Sequence, residues 1–301
     1  MQNWMHPVSN LWTPDELGEA HSPESGLVLP TGLGNMFDNP EISGMFEEFA
    51  ASVEGLKGDD KAAYDNLEFY ADHVLAWENP EYVPSSSFQK RIYNELQYSN
   101  ERSFLILGPR GSAKSNSVTV AYTTWKIGRN PLIRFLMCFA AKEQQGYPFS
   151  RQIATIIENN ERYKRIFGEL HKPSSKNRWA DEERTVDRKE PPSGLKDATI
   201  SIVGFGSNIP SKRADEAVVD DIVTEDNAYS DTLQTKIESF VISSLFPILI
   251  PGGRRIILGS RWDARDFYAR IAERWRLTFP DPDQSIDLDN VIESMVELQV
   301  A

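Results

Sequence analysis

The sequence is poor in cysteine and in long apolar runs. Its single cysteine, Cys138, excludes an intrachain disulfide and, within an apolar run, is expected to be a buried core residue. No apolar stretch approaches the roughly 20 residues of a membrane-spanning helix, and the N-terminus lacks the basic and then apolar pattern of a signal peptide. We therefore expect a cytosolic protein with no membrane partner.

Basic residues are scarce at both ends of the chain. Residues 1–100 hold 17 acidic and 4 basic residues, and residues 281–301 hold 6 acidic and no basic residues. Residues 101–280, in contrast, hold 22 acidic and 28 basic residues. The formal net charge of -13 thus conceals a mildly basic middle. This pattern is compatible with a polyanionic partner, although ordinary surface charge explains it equally well.

Residues 104–115 read FLILGPRGSAKS, an apolar run followed by a glycine-containing loop and a Lys-Ser pair. The order of buried strand, glycine-rich loop and helix predicts a phosphate loop. Its backbone N–H groups and the positive end of the next helix would hold a nucleoside triphosphate. We assign ATP binding to Gly108, Pro109, Arg110, Gly111, Ser112, Ala113, Lys114 and Ser115.

Individual loop residues have distinct expected roles. Lys114 would lie between the β- and γ-phosphates, and the Ser115 hydroxyl would complete a Mg²⁺ shell. Arg110 is a second cation that we expect at the γ-phosphate during turnover. Ala113 departs from the usual pattern, which has glycine before the lysine, because a Cβ narrows the allowed backbone unless φ is negative.

Strand-like and helix-like segments alternate after the loop. This alternation predicts an α/β P-loop NTPase of the RecA-like (ASCE) type, with a mainly parallel central sheet flanked by helices and an N-terminal helical or irregular extension. We expect strands at 133–140 and 199–205, a helix at 115–128 and a long helical region at 144–168. Residues 171–198 are interpreted as an irregular excursion or small hairpin outside the core sheet.

The expected domain boundaries follow changes in composition. Residues 1–40 contain five prolines and are interpreted as an extended or partly disordered arm. Residues 41–83 form a helical N-terminal extension, residues 84–280 the ATPase domain, and residues 281–301 an acidic tail.

Paired carboxylates end the apolar run Ala217–Asp221. In a P-loop ATPase, the first carboxylate orders Mg²⁺ and the second polarises the attacking water, which assigns these roles to Asp220 and Asp221. Aspartate is one methylene shorter than the glutamate common at the second position. Glu225 is therefore an alternative catalytic acid.

A last strand, Arg255 to Trp262, follows an expected turn at Pro251–Gly253. Its end carries Gly259, Ser260 and Arg261, and a small polar residue beside the γ-phosphate would sense the loss of that phosphate. We assign coupling to these three residues.

Two further residues are candidates from their positions. Gln89 lies 25 residues before Lys114, and its amide could read the adenine edge; the alternative is an ordinary surface glutamine. Arg213 precedes the strand of Asp220 and could stabilise the γ-phosphate of a neighbouring subunit. The alternative is a surface arginine that pairs with Asp215 or Glu216.

Together these motifs resemble the large terminase subunits of tailed bacteriophages, especially the short-tailed type. The similar pieces cover about residues 84–275: they are 108–115, Ser211-Lys212-Arg213-Ala214-Asp215, Val218-Val219-Asp220-Asp221-Ile222, and Pro251-Gly252-Gly253 to Arg261-Trp262. An arginine in the phosphate loop and alanine before the lysine are more typical of terminases than of other P-loop proteins.

The resemblance implies an ATP- and Mg²⁺-dependent motor that packages double-stranded DNA. Such subunits form a homo-oligomeric ring at the portal protein of a procapsid and work with a small terminase subunit. The expected location is the host cytoplasm, transiently at the portal vertex, and not the mature virion. Only 26 residues follow Trp275, too few for the family's nuclease domain, so nuclease activity is not expected.

Two other functional classes stay open. A helicase-like or remodelling ATPase would use the same loop and carboxylates, but it normally has a second motor domain, for which this chain has no room. A non-catalytic nucleotide-binding adaptor is the third possibility. ATP turnover would distinguish the adaptor from both motors.

Overall fold

The computed structural model describes residues 55–76, 83–172, 175–188, 195–209, 212–275 and 298–300. The predicted arm at 1–40 and most of the predicted acidic tail lie outside these ranges. None of the described helices is long and apolar enough to cross a membrane.

Within the described residues, seven strands form one sheet in the order β3-β4-β2-β5-β6-β1-β7. The five central strands are mutually parallel, whereas β3 and β7 pair antiparallel at the two edges. Strand β6 separates β1, which leads into the phosphate loop, from β5, which carries the paired carboxylates. This arrangement confirms the predicted P-loop NTPase fold. The strands are β1 Ser103–Leu107, β2 Phe135–Phe139, β3 Glu183–Arg184, β4 Ile200–Gly204, β5 Ala214–Asp220, β6 Leu249–Gly259 and β7 Leu298–Val300.

Helices cover both faces of the sheet. They are α1 Gly58–Asp65; α2 Leu67–Tyr70 with a π-helical continuation, Ala71–Leu75; α3 Ser87–Tyr98; α4, π-helical over Asn116–Tyr122 and α-helical over Thr123–Arg129; α5 Tyr147–Asn159, preceded by the π turn Lys142–Gly146; α6 Glu161–Phe167; α7 Glu225–Ala228; α8 Asp231–Phe240, continued by Val241–Leu245 and the 3₁₀ turn Phe246–Ile248; and α9 Phe267–Arg274.

Each face of the sheet has its own apolar core. Alternate residues of a strand point to opposite faces, so Phe104 and Ile106 join one core and Leu105 and Leu107 the other. All five residues of β1 are buried, as are those of β2 and β4, which explains their continuous apolar sequences. The packing fixes the sheet as a rigid support for the loops at its ends.

The predicted helix at 144–168 is two helices. Asn160 lies between α5 and α6 in extended backbone, and its side chain accepts a hydrogen bond from the Tyr163 N–H at 2.8 Å. This side-chain cap replaces an intrahelical bond and allows the chain to turn. The predicted helical region is therefore helical, but it contains a turn between two helices.

Two irregular segments belong to the sheet, contrary to expectation. The predicted turn Pro251–Gly253 lies inside β6, where a register shift opposite Ala214 and Glu216 and a φ of +83° at Gly252 accommodate it. Within the predicted excursion, Glu183 and Arg184 pair antiparallel with β4 and form the sheet edge. The last described residues, 298–300, pair with β1, so this part of the predicted tail also joins the sheet.

Candidate nucleotide site

Three neighbouring parallel strands end at the same edge of the sheet. Leu107 is in register with Gly259, and Asp220 with Leu258, so the loops after β1, β5 and β6 start side by side. The Gly108 N–H donates to the Gly259 carbonyl at 3.1 Å, which ties the first loop to the third. This topology brings the phosphate loop to the paired carboxylates and the predicted sensor.

Lys114 is the most enclosed cation of this site. It is 4% exposed, and its Nζ donates to Asp221 Oδ2 at 3.3 Å and to Ser260 Oγ at 3.2 Å. Ser260 Oγ in turn donates to the Gly108 carbonyl at 2.8 Å. The lysine, the second carboxylate and the predicted sensor serine therefore form one contact group.

Asp220 precedes Asp221 at the end of β5 and is 1% exposed. Its two carboxylate oxygens accept hydrogen bonds from Ser115 Oγ at 2.9 Å and from Thr119 Oγ1 at 2.6 Å. Burial, and to a smaller extent the neighbouring Asp221, raises the pKa of Asp220 to about 6, although Thr119, Ser115 and Lys114 act in the opposite direction. The carboxylate is thus mostly ionised at neutral pH.

The donor set around Asp220 suits Mg²⁺. A hydroxyl and a carboxylate oxygen already in contact are hard oxygen ligands, and Mg²⁺ bound with a nucleotide commonly takes only one or two protein ligands. The described residues contain no group of three or more His, Cys, Asp or Glu side chains that could hold a metal by themselves. Ser115 and Asp220 are the residues that would hold the ion.

Two residues of the site have strained backbone. Ala113 has a φ of +60° and Asp221 a φ of +43°, and they are the only non-glycine residues with positive φ in the described parts of the chain. Such a conformation costs roughly 1–2 kcal/mol for an L-residue with a Cβ. Ala113 therefore does not have the negative φ that would have made it an unstrained replacement for glycine.

Gln89 lies beside the phosphate loop, but its amide is already hydrogen-bonded. Its Oε1 accepts from the Ser86 N–H at 3.1 Å in a capping box that starts α3, and its Nε2 donates to Ser117 Oγ at 3.4 Å. Reading adenine would require the amide to exchange these partners. Adenine recognition by Gln89 stays a prediction.

Arg213 and Glu225 are not part of the contact group around Lys114. Arg213 lies just before β5, so the strand's seven residues, roughly 20 Å, separate it from Asp221. Arg213 is exposed, as a surface arginine would be, whereas the two acids named as its alternative partners pair with other cations, Asp215 with Arg134 and Glu216 with Lys126.

Glu225 is exposed and is the first residue of α7. It therefore follows Asp221 on the same side of the sheet but has no contact with Lys114 or Ser260 among its described interactions.

The three predicted coupling residues have different surroundings. Ser260 contacts Lys114 directly, as described above. A Cβ on Gly259 would lie 2.0 Å from the Tyr268 ring, so only glycine fits where β6 passes α9. Arg261 is directed to Asp266, with Nε 3.1 Å from its Oδ1, and so connects the sensor loop to the start of α9.

The sequence did not reveal two contacts of the site. Thr119 donates a hydrogen bond to Asp220. Because Thr119 follows Ser115 by four residues on one helix, the two hydroxyls lie on the same helix face, and this spacing could have predicted the contact. The Arg110 guanidinium stacks over the Trp262 ring, 4.3 Å from its centroid. Both side chains line a pocket of about 70 Å³, together with Gln145, Asp221, Val223, Thr224 and Ser260.

Comparisons with known proteins add little to this geometry. No protein-family model and no curated protein sequence matches the chain. Among solved structures, the chain is similar to a mutant of the large terminase ATPase domain from Thermus phage P74-26. The two share 15% sequence identity over 73% of this chain and 78% of that chain, with a TM-score of 0.40. The fold assignment rests on the strand order of the sheet.

Proposed function

We propose that this chain is the ATPase of a DNA-packaging motor of the large-terminase type, hydrolysing ATP to ADP and phosphate. The observation that carries the ATPase proposal is the meeting of Lys114, Ser115, Asp220, Asp221 and Ser260 at one sheet edge. The site combines a buried lysine of the phosphate loop with two carboxylates at the end of β5, which is separated from β1 by one strand. These are the groups required for phosphoryl transfer to water.

The contact between Lys114 and Asp221 indicates how catalysis is tied to substrate binding. A terminal phosphate of ATP would compete with Asp221 for the Lys114 ammonium, because both are anions within its reach. Once Lys114 turns to the phosphate, the Asp221 carboxylate becomes available to orient and deprotonate the attacking water. Asp221 is then a base only when ATP is bound.

Ser115 and Asp220 would hold Mg²⁺, which neutralises charge on the phosphate oxygens when bound. Arg110 supplies a second cation from the same loop. Arg213 of a neighbouring subunit would supply a third, because its distance from Asp221 within one chain is too long for a role at its own phosphate site. This assignment gives the isolated subunit low activity.

Ser260 is suited to report the state of the phosphate. It bridges the Lys114 ammonium and the Gly108 carbonyl, so movement of Lys114 changes its hydrogen bonds. The adjacent Arg261 contacts Asp266, the N-cap of α9. The chain from Lys114 through Ser260 and Arg261 to α9 is our proposed coupling route.

The DNA-packaging part of the proposal is supported by the set of motifs that resembles large terminases, including an arginine in the phosphate loop. Under this proposal, the chain works in a homo-oligomeric ring on a portal protein, in the host cytoplasm and transiently at the procapsid vertex. Double-stranded DNA and a small terminase subunit would be its partners. A helicase-like ATPase is the second candidate.

A packaging assay separates these candidates. Purified chain would be combined with portal-containing procapsids, linear double-stranded DNA and ATP, and nuclease-protected DNA measured. We expect protection that requires ATP and is lost with Lys114→Ala. DNA-stimulated hydrolysis with strand separation, and no protected DNA, would instead establish the helicase-like alternative.

A further inference from the structure

Trp262 provides the surface on which the phosphate-loop arginine rests. The Arg110 guanidinium carbon lies 4.3 Å from the indole centroid, well within the distance of a cation–π interaction. Arg110 and Trp262 belong to different loops, one after β1 and one after β6. Their contact therefore depends on the two strands being neighbours in the sheet.

Trp262 is fixed by a backbone hydrogen bond and by packing against the core. Its backbone N–H donates to Asp266 Oδ2 at 3.0 Å, and Asp266 is fully buried and also caps α9 through the Ala269 N–H. The half-buried ring packs against the apolar core on its face of the sheet. The indole is consequently a fixed platform and not a mobile surface group.

Arg110 is exposed and lies between two glycines of the loop. Among the residues that the structure describes, no hydrogen bond or ion pair holds its guanidinium, so the indole ring is what orients it. A guanidinium stacked by its face keeps its N–H edge free for bidentate contact with phosphate oxygens. Stacking thus orients this cation without using its donors.

We propose that Trp262 is a positioning residue that holds Arg110 over the end of the site where the phosphoryl group is transferred. Arg110 and Trp262 line the same pocket as Asp221 and Ser260, the two groups in contact with Lys114. The inference rests on the proposed ATPase function and deepens it. Orientation of a flexible cation before reaction lowers the barrier more than it strengthens ground-state binding.

The kinetic test compares Trp262→Leu, Arg110→Ala and the double variant with the wild type. An exposed cation–π contact corresponds to a fall of about twofold to fivefold in kcat for Trp262→Leu, with little change in ATP affinity. Trp262→Phe should keep most of the activity. The double variant should be no slower than Arg110→Ala alone, because Trp262 acts only through Arg110.

The matched control is Trp275→Leu, since Trp275 packs against the same core but does not line the pocket. It should leave kcat unchanged. Effects of Trp262→Leu and Arg110→Ala that multiply in the double variant would overturn the proposal, because they would mean independent roles. So would a Trp262→Leu effect on ATP affinity alone.

Tryptophan fluorescence tests the contact without turnover. The emission of Trp262 is obtained from the difference between proteins with Trp262 and with Trp262→Phe, measured with Arg110 and again with Arg110→Ala. A change in this difference spectrum supports the contact, and an identical spectrum overturns it. If the wild type hydrolyses no ATP, the proposed function fails and this spectrum still decides whether Trp262 holds Arg110.

Discussion

The ammonium of Lys114 lies 3.3 Å from the carboxylate of Asp221, residues that are 107 positions apart in the sequence. The lysine side chain is 5% exposed and the aspartate side chain 41% exposed, so a ligand can approach the pair from the aspartate side. The contact makes Asp221 an internal competitor for the phosphate-binding cation. This relationship leads directly to the first prediction.

Asp221→Asn should reduce ATP turnover by about 100-fold or more, because it removes the proposed general base. Nucleotide affinity should stay the same or increase, since Lys114 loses a competing anion. Turnover and ADP binding by calorimetry measure the two effects. Glu225→Gln is the matched comparison and should keep most of the activity; the reverse pattern would assign the catalytic role to Glu225.

Ala113→Gly should not destabilise the protein, although glycine usually does. The substitution relieves roughly 1–2 kcal/mol of backbone strain at the positive φ of residue 113. It also increases the conformational entropy of the unfolded chain, which costs about 0.4–1 kcal/mol. The free energy of unfolding should therefore be equal or slightly higher. Ala272→Gly, within α9 and buried, should lose about 1 kcal/mol or more. Denaturant unfolding of both variants checks this, and a clear loss at Ala113→Gly would contradict the strain.

Asp220→Asn should stabilise the nucleotide-free protein at neutral pH in the presence of EDTA. The pKa of Asp220 is raised to about 6 by burial, so its ionised form is disfavoured in the folded state. The stability contributed by this group is present below its unfolded pKa and is lost as pH rises through about 6. Above that pH, the raised pKa lowers the free energy of unfolding of the wild type by up to about 3 kcal/mol.

The comparison is made by urea unfolding between pH 4 and pH 8. The variant should be more stable than the wild type at pH 8, and the difference should shrink towards pH 4, where the folded-state aspartate is protonated and the unfolded-state aspartate is about half protonated. A stability difference that does not depend on pH would contradict the raised pKa.

Arg213→Ala and Lys114→Ala subunits should each be inactive in assembled rings, yet regain partial turnover when mixed. Mixed rings contain interfaces that pair an intact Arg213 with an intact phosphate loop of the neighbour. The control replaces the Arg213→Ala partner by a subunit carrying both substitutions, which should restore nothing. No recovery despite demonstrated co-assembly would count against a role for Arg213 across the interface.

Much of the sheet could be predicted because buried parallel strands are continuous apolar runs. The strands containing Phe104, Cys138 and Val219 were located in this way, and their shared C-terminal edge followed from parallel pairing. Strand β3 was missed because two residues carry no periodicity. Pro251-Gly252-Gly253 was interpreted as a turn because the same residues that form turns also permit a bulge inside a strand.

The contact group around Lys114 could be predicted because its members lie on motifs whose order fixes their position. The stacking of Arg110 on Trp262 could not, since it depends on the directions of two loops 152 residues apart. The positive φ of Ala113 was also not predictable, because sequence rules favour glycine there and do not say whether alanine changes the loop or adopts its strain.

The most direct test of the central claim is ATP turnover by Lys114→Ala measured beside Lys61→Ala. Lys61 forms an exposed ion pair with Asp65 on α1, away from the phosphate loop, and its loss should leave turnover unchanged. Lys114→Ala should abolish hydrolysis while the unfolding temperature stays close to that of the wild type, since its charge serves the nucleotide and not the core. Wild-type turnover in folded Lys114→Ala would contradict the assignment of this site.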